Sequence, residues 1–136
     1  MSGGSPKDLW RGLGLPTWGK LRPRISDSKK SPLVLGTCDP AAQGYLISSL
    51  LGSKPKHRIW ILCPHARRRD QLADEFAFWK TPTLILADPT VVVENEIVDP
   101  DREAERISTF HRIAATPISP VLLSRQSWQS PAPQRD

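Results

Sequence analysis

From residue 32 onwards, short apolar runs alternate with longer segments in which apolar residues recur every three or four positions. The short runs predict β-strands, and the periodic segments predict amphipathic helices. The predicted strands are "PLVLGT", "RIWILCP", "TLILAD" and "SPVLLS". Strands that alternate with helices indicate an α/β fold with three layers around a mainly parallel, four-stranded sheet. Because the runs are continuously apolar, we expect strands that are covered on both faces.

Three helices are predicted from their start signals and their apolar positions. The first covers residues 40–51, the second residues 66–79, and the third begins at residue 100. Asp39 and Asp99 precede the first and third helices, and each is followed by proline, which is a favoured N-cap and first-turn combination. The apolar positions expected to face inwards are Leu72, Phe76 and Trp79 in the second helix, and Ala104, Ile107, Phe110 or His111, and Ala114 in the third.

Residues 1–31 differ from the rest in composition, being rich in glycine, proline, serine and basic residues. They hold seven basic and two acidic residues, so the formal net charge of +5 lies entirely in this segment. We predict a flexible basic leader over residues 1–31, an α/β subdomain over residues 32–130, and a loose C-terminal end over residues 131–136. A basic leader can bind nucleic acid, although a solvated leader without a partner is the simpler interpretation.

Length and cysteine content exclude several classes of protein. The sequence has no apolar run of about 18 residues that would predict a transmembrane helix, and its N-terminus lacks the apolar core of a secretion signal. Cys38 and Cys63 are the only cysteines. Without metal-ligand spacing they are typical of a reduced, cytoplasmic protein, so neither a disulfide nor a metal site is expected.

The first predicted strand, its glycine turn and the following helix have the outline of a phosphate-binding loop, which reads G-x-x-x-x-G-K-[ST]. Counting from Gly36, the positions of the second glycine, the lysine and the hydroxyl residue hold Ala41, Ala42 and Gln43. Asp39 at the helix N-cap would occupy the backbone N–H groups that a phosphate needs, and it would also repel the phosphate. We therefore predict a degenerate loop that binds no nucleotide or other cofactor.

Two further groups of residues are candidates for function. Arg67, Arg68 and Arg69 lie in the first turn of the second helix, where cations oppose the helix dipole, and are candidates for contacts to nucleic acid or another anion. A solvated helix face is the alternative interpretation. Cys38 lies on the turn before the first helix and is a candidate nucleophile, but the neighbouring carboxylate of Asp39 disfavours the thiolate. No catalytic residue is therefore assigned, and we expect a protein that is not an enzyme.

Longer stretches resemble a known family. The segments "RIWILCPHARRRDQLADEFAFW", "LILADP" and "VENEIVDPDREAERISTFHRIAATPISPVLLSRQSW" resemble, in order and spacing, the N-terminal module of the bacterial transcription-repair coupling factor, Mfd. That module is itself similar to the first domain of the excision-repair protein UvrB. The resemblance covers roughly residues 32–130, and its matching positions are Cys63–Pro64, Leu72 to Glu75, Asp99–Pro100 and Arg106 to Ile113.

The resemblance implies a partial RecA-like, UvrB-like subdomain with a degenerate phosphate loop, serving as a non-catalytic scaffold in transcription-coupled DNA repair. The ATPase motor of the family lies in a separate C-terminal region. The implied partners are downstream UvrB-like domains of the same longer polypeptide, UvrA through the adjacent domain, and DNA and RNA polymerase through domains that this chain lacks. The alternatives are a small nucleic-acid-binding module that uses the leader with Arg67 to Arg69, or a small α/β enzyme that uses Cys38.

Overall fold

The computed structural model describes residues 38–52, 57–90 and 99–131. Within these ranges the chain forms three strands and four helices, none of them long and apolar enough to cross a membrane. The strands are β1 (Trp60–Cys63), β2 (Leu84–Ile85) and β3 (Val121–Ser124), and the helices are α1 (Pro40–Gly52), α2 (Ala66–Phe78), α3 (Pro100–Ala115) and α4 (Arg125–Gln129). The leader and the strand predicted at residues 32–37 lie outside the described residues.

The three strands form one parallel sheet in the order β1-β3-β2. The chain passes from β1 to the far strand β2 and then returns to place β3 between them. Val121 is in register with Trp60 on one side and with Leu84 on the other. The predicted α/β class with a parallel sheet is therefore confirmed for the part of the chain that the structure describes.

Helices cover both faces of the sheet. Successive side chains of a strand point to opposite sides, so the strands contribute side chains to both faces. On one face, Ile61 of β1 and Leu122 of β3 pack with Phe76 of α2. On the other face, Val121 and Leu123 of β3 pack with Ile113 of α3. The central strand β3 is buried along its whole length, as expected for a strand between two helical layers.

The expectation that every strand is covered on both faces is wrong for β1. Trp60 and Leu62 are 46% and 53% exposed, whereas the intervening Ile61 and the terminal Cys63 are buried. The cause is the strand order. Helix α3 joins β2 to β3 and packs over those two strands. In the described part of the chain, the half of that face that belongs to β1 is therefore only partly covered, by Trp128 of α4.

The inner side predicted for α3 is wrong at most positions. Ala104, Ile107, His111 and Ala114 are exposed, and the buried positions are Arg106, Thr109 and Ile113. The prediction holds at Phe110, which is half-buried and packs against the core. Arg106 turns towards the sheet because its guanidinium hydrogen-bonds the end of β2, as described below. For α2 the predicted inner side is confirmed at Leu72 and Phe76, which are 3% and 0% exposed.

The helix starts follow the predicted chemistry. Asp99 caps α3 by accepting hydrogen bonds from the backbone N–H groups of Asp101 and Arg102. The short helix α4 was not predicted. It begins directly after β3, where the Ser124 hydroxyl accepts a hydrogen bond from the backbone N–H of Ser127 at 3.1 Å.

Candidate functional site

The turn before α1 is closed by Asp39. Its carboxylate accepts a hydrogen bond from the backbone N–H of Ala41 at 2.9 Å, and its carbonyl accepts one from the N–H of Ala42 at 2.8 Å. The side-chain oxygen of Gln43 accepts a hydrogen bond from Arg68 at 3.0 Å. Gly36 lies outside the described residues. Asp39 thus accepts a hydrogen bond from an N–H group in the first turn of α1. Gln43, at the position of the hydroxyl residue in a working loop, is hydrogen-bonded to α2.

Arg68 joins α2 to α1. Its guanidinium donates hydrogen bonds to the carboxylate of Glu75, the side chain of Gln43 and the carbonyl of Pro40, each at 3.0 Å. The Arg68 side chain is only 16% exposed. It therefore serves an internal contact between two helices, whereas its neighbour Arg67 is exposed.

Arg69 is directed into the sheet. Its guanidinium donates a hydrogen bond to the carbonyl of Leu86 at 3.1 Å and lies 3.3 Å from the carboxylate of Asp88. On its outer side it pairs with Asp70 at 2.8 Å. Of the three arginines proposed for anion contacts, two therefore have their charge paired within the chain, and Arg67 alone is exposed.

Asp88 forms the centre of a polar network that sequence reasoning missed. It follows β2, and its carboxylate accepts hydrogen bonds from the hydroxyls of Ser124, at the end of β3, and of Ser127, in α4, the latter at 2.7 Å. Because β2 and β3 are parallel, their carboxyl ends meet at one edge of the sheet. We call the buried side chains there the carboxyl-edge network, which consists of Arg69, Asp88, Arg106, Ser124 and Ser127.

Arg106 reaches the same edge from α3. It donates a hydrogen bond to the carbonyl of Ala87 at 2.6 Å and lies 3.4 Å from the Ser127 hydroxyl. Its second terminal nitrogen, Nη2, is buried without a hydrogen-bond partner among the described residues. The guanidinium lies over the ring of Phe110, 5.2 Å from its centroid, and this cation–π contact compensates part of the lost hydration.

The carboxyl edge is where open parallel sheets bind their ligands. Here all five residues of the network are at most 8% exposed. Their charged and hydroxyl groups face one another and nearby backbone carbonyls. The described part of this edge is therefore filled by the chain's own side chains, an arrangement that stabilises the sheet and leaves these groups turned away from solvent.

The sequence contained one usable signal for this network. Asp88 and Ser124 each stand at the end of a predicted apolar strand, so the pairing of those strands would have brought them together. Arg106 and Ser127 gave no such signal, because the first is not among the apolar positions that predict the inner side of its helix and the second lies in a helix that was not predicted.

Cys63 lies next to this edge, in register with Ser124. Burial raises the pKa of the Cys63 thiol, and nearby arginines only partly oppose this shift. His65 caps α2, with its Nδ1 accepting a hydrogen bond from the backbone N–H of Arg68. Cys38 lies on the turn before α1, where its thiol donates a hydrogen bond to the carbonyl of Asp39 at 3.7 Å. Among the described residues, no group of three or more metal-ligating side chains could hold a metal ion.

A half-exposed apolar surface lies on the side of β1 to which Trp60 and Leu62 point. Trp60 and Leu62 of β1 and Trp128 of α4 are each about half exposed, and we call these three residues the aromatic face. The rings of Trp60 and Trp128 meet edge to face with centroids 6.2 Å apart. The guanidinium of Arg58 lies over the Trp60 ring, 5.7 Å from its centroid.

The described residues thus define an α/β protein with a parallel sheet, a filled carboxyl edge and one uncovered apolar face. No protein-family model, curated protein or solved structure matches the chain.

Proposed function

We propose that this chain is a non-catalytic scaffold, the first UvrB-like subdomain of a cytoplasmic transcription-coupled DNA repair factor. The resemblance of residues 32–130 to the coupling-factor module supports this proposal, and a parallel α/β sheet is compatible with it. In this proposal residues 32–37 form the fourth strand of a RecA-like sheet, followed by the degenerate phosphate loop. The subdomain supports the adjacent domain that recruits UvrA, while domains beyond this chain contact DNA and RNA polymerase.

The observation that carries the non-catalytic part is the filled carboxyl edge. An α/β enzyme presents polar groups to its substrate at this position. In this chain Asp88 is held by two hydroxyls and by Arg69, all of them buried. At the neighbouring turn, Asp39 caps the helix that a phosphate would otherwise approach. These residues support the fold, and the proposal assigns them no chemical step.

The first experiment tests the scaffold role. The UvrB-like segments encoded after the codon for Asp136 are expressed separately and added to this chain. We expect the melting temperature of the chain to rise, because a partner that binds only the folded state stabilises it by mass action. UvrA should be retained by the reconstituted pair at moderate salt and not by this chain alone. If residues 32–136 alone bound UvrA firmly, this subdomain itself would be the recruiting surface and the scaffold proposal would fail.

The second experiment tests the degenerate loop. Calorimetric titration with Mg-ATP should show no binding tighter than about 100 μM, which corresponds to roughly −5.5 kcal/mol. Tighter binding would contradict the assignment of Asp39 as a cap that excludes phosphate. The nucleic-acid alternative predicts salt-dependent DNA binding that weakens when residues 1–31 are deleted. The enzyme alternative predicts that Cys38 is alkylated faster than a free cysteine.

A further inference from the structure

On the side of the sheet that α3 covers, the strands are unevenly buried. Val121 and Leu123 of β3 are 0% and 1% exposed and pack with α3. Trp60 and Leu62 of β1 are in register with them and therefore point to the same side, but they are 46% and 53% exposed. The aromatic face is thus the half-exposed continuation of a surface that is buried one strand away.

The N-terminal part of the chain contains an apolar stretch of its own, outside the described residues. Residues 8–21 read "DLWRGLGLPTWGKL", and we call them the leader segment. Six of its positions hold large apolar side chains, namely Leu9, Trp10, Leu13, Leu15, Trp18 and Leu21. Segments that stay solvated have few aromatic and other large apolar residues. This composition therefore indicates a segment that packs against another surface.

The leader segment carries little of the charge of residues 1–31. It holds Arg11 and Lys20 against Asp8, a net of +1, whereas residues 1–31 together have a net charge of +5. The guanidinium of Arg58 lies over the ring of Trp60 in the aromatic face. Because the leader segment is close to neutral, it can pack beside this cation with little electrostatic repulsion.

The described chain begins close to the strand that carries the aromatic face. Its first residue, Cys38, directly precedes α1, and the carbonyl of Pro40 accepts a hydrogen bond at 3.0 Å from Arg68 in the first turn of α2. Helix α2 in turn begins just after β1 ends. Residues 1–37 therefore join the described part of the chain near the carboxyl end of β1.

The intervening chain is long enough to bring the leader segment to either side of the sheet. Residues 22–37 separate this segment from Cys38, and when extended they span about 50 Å. A compact chain of this length has a radius of gyration of only about 14 Å. A segment tethered in this way meets the aromatic face at an effective concentration of the order of millimolar.

The size of the aromatic face favours a tethered segment over a second copy of the chain. A tryptophan side chain offers at most about 250 Å², so three half-exposed side chains amount to a few hundred Å². A stable dimer buries about 800 Å² on each partner, which is more than the aromatic face supplies. A segment of the same chain needs less area, because its tether has already restricted its translational freedom.

We propose that the leader segment docks on the aromatic face and completes the apolar layer over β1. Trp10 and Trp18 supply the main contacts, and the basic residues on either side of the segment stay in solvent. Gly12, Gly14 and Pro16 prevent a continuous helix, so the segment crosses the face as an irregular strap. The proposal does not depend on the function proposed above, because both parts of the contact lie within residues 1–136.

The first test measures how accessible the aromatic face is in the full chain. With 5-fluorotryptophan incorporated, a soluble gadolinium chelate enhances the ¹⁹F relaxation of exposed tryptophans, and single Trp→Phe variants assign the signals. In Trp10→Gln/Trp18→Gln the enhancement at Trp60 and Trp128 should rise by about twofold or more over wild type, since covering a half-exposed tryptophan removes on the order of 100 Å² from solvent.

Two controls accompany this measurement. The variant Ile25→Gln changes an apolar residue of the same leader outside the leader segment, and it should leave the enhancement at Trp60 and Trp128 as in wild type. Trp79 packs against Tyr45 of α1, with ring centroids 5.1 Å apart, on the α2 side of the sheet. Its signal should be unchanged in both variants, which shows that the fold is intact.

A second test detects the contact directly. A nitroxide is attached to Thr17→Cys in a Cys38→Ser background, where the remaining thiol of Cys63 is buried. The ¹⁹F signals of Trp60 and Trp128 should broaden more than that of Trp79, and reduction of the nitroxide should restore them. Equal broadening of all three signals would show nonspecific collapse of the leader and overturn the proposal.

Three further outcomes would also overturn it. Trp60 and Trp128 could be equally accessible in wild type and in Trp10→Gln/Trp18→Gln, in which case the leader segment does not cover them. Their protection could disappear on dilution, which would make the occupant a second copy. A single-stranded oligothymidylate could shift both signals as strongly in wild type as in the leader variant, which would make the aromatic face an open stacking surface for nucleic acid.

Discussion

Gly44 shows how one residue sets the distance between two helices. Glycine within a helix is less favourable than alanine by about 1 kcal/mol. A Cβ atom at Gly44 would lie 2.8 Å from the Cβ of Glu75 and would overlap its carboxylate oxygen Oε2. The glycine therefore allows α1 to approach α2 closely enough for Arg68 to bridge them.

We expect Gly44→Ala to destabilise the protein by about 1–3 kcal/mol, the usual cost of overpacking, despite the better helix propensity of alanine. Urea unfolding measures the effect. In a Glu75→Gly background the same substitution should cost much less, because both the Cβ and the carboxylate that obstruct it are gone. A net stabilisation by Gly44→Ala in the wild-type background would show that the two helices are not in close contact.

The buried thiol of Cys63 gives a pH dependence. Since burial raises the pKa of Cys63 in the folded state, the unfolded chain loses this proton first as the pH rises. The contribution to stability is complete below the unfolded value of about 8.5 and is lost as the pH rises through the folded pKa. Between pH 7 and 10 the free energy of unfolding should therefore fall more steeply for wild type than for Cys63→Ala. Parallel curves would contradict the assignment.

The two sides of helix α2 differ in how much their side chains contribute to the stability of the fold. Its inner side places Phe76 in the core, where it is 0% exposed. Two positions along, Phe78 is 76% exposed. The first turn carries three arginines, and the sequence alone does not reveal which of them is buried.

Phe76→Ala should destabilise the protein by about 3–5 kcal/mol, because it removes a buried aromatic side chain and leaves a cavity. Phe78→Ala is the matched control on the same helix and should change stability by less than about 0.5 kcal/mol. Denaturant midpoints provide the comparison. Equal effects would mean that the inner side of α2 has been assigned to the wrong residues.

Within the first turn of α2, Arg68→Ala should destabilise the protein by about 1–2 kcal/mol, since it breaks hydrogen bonds to a carboxylate and to α1. Arg67→Ala should be within about 0.5 kcal/mol of wild type, because Arg67 is exposed. Chemical denaturation of both variants provides the measurement. If Arg67→Ala were the more damaging of the two, the contact between α1 and α2 described above would be wrong.

At the scale of the whole molecule, the carboxyl-edge network joins the sheet to three helices. Arg69 reaches it from α2, Arg106 from α3 and Ser127 from α4. Asp88, which follows β2, forms an ion pair with Arg69 and accepts a hydrogen bond from Ser127. A buried charge that loses its partner is costly, because the remaining group has neither water nor a counter-charge.

Asp88→Asn should therefore destabilise the protein by about 2–4 kcal/mol while keeping the shape of the side chain, since Arg69 would lose its buried counter-charge. Asp70→Asn removes the other partner of Arg69, but the Asp70 side chain is 62% exposed, so its effect should stay below about 1 kcal/mol. Amide exchange in α4 should accelerate in Asp88→Asn only. Equal stability of the two variants would show that Asp88 does not hold the edge together.

The sequence by itself determined the order of the three strands and the three longer helices that the structure describes. The strand positions in "RIWILCP" and "SPVLLS", the Asp–Pro start of α3 and the inner side of α2 at Leu72 and Phe76 all agree with the structure. These features depend on capping groups and apolar periodicity within a few neighbouring residues, which a single sequence displays directly.

Only the tertiary structure decided which side of α3 is buried, that Arg69 and Asp88 form a pair, and that one face of β1 is uncovered. Each of these features follows from the strand order β1-β3-β2. That order brings the carboxyl ends of β2 and β3 together, draws Arg106 inwards and keeps α3 away from β1. Contacts between residues far apart along the chain set this order, and local periodicity carries no information about them.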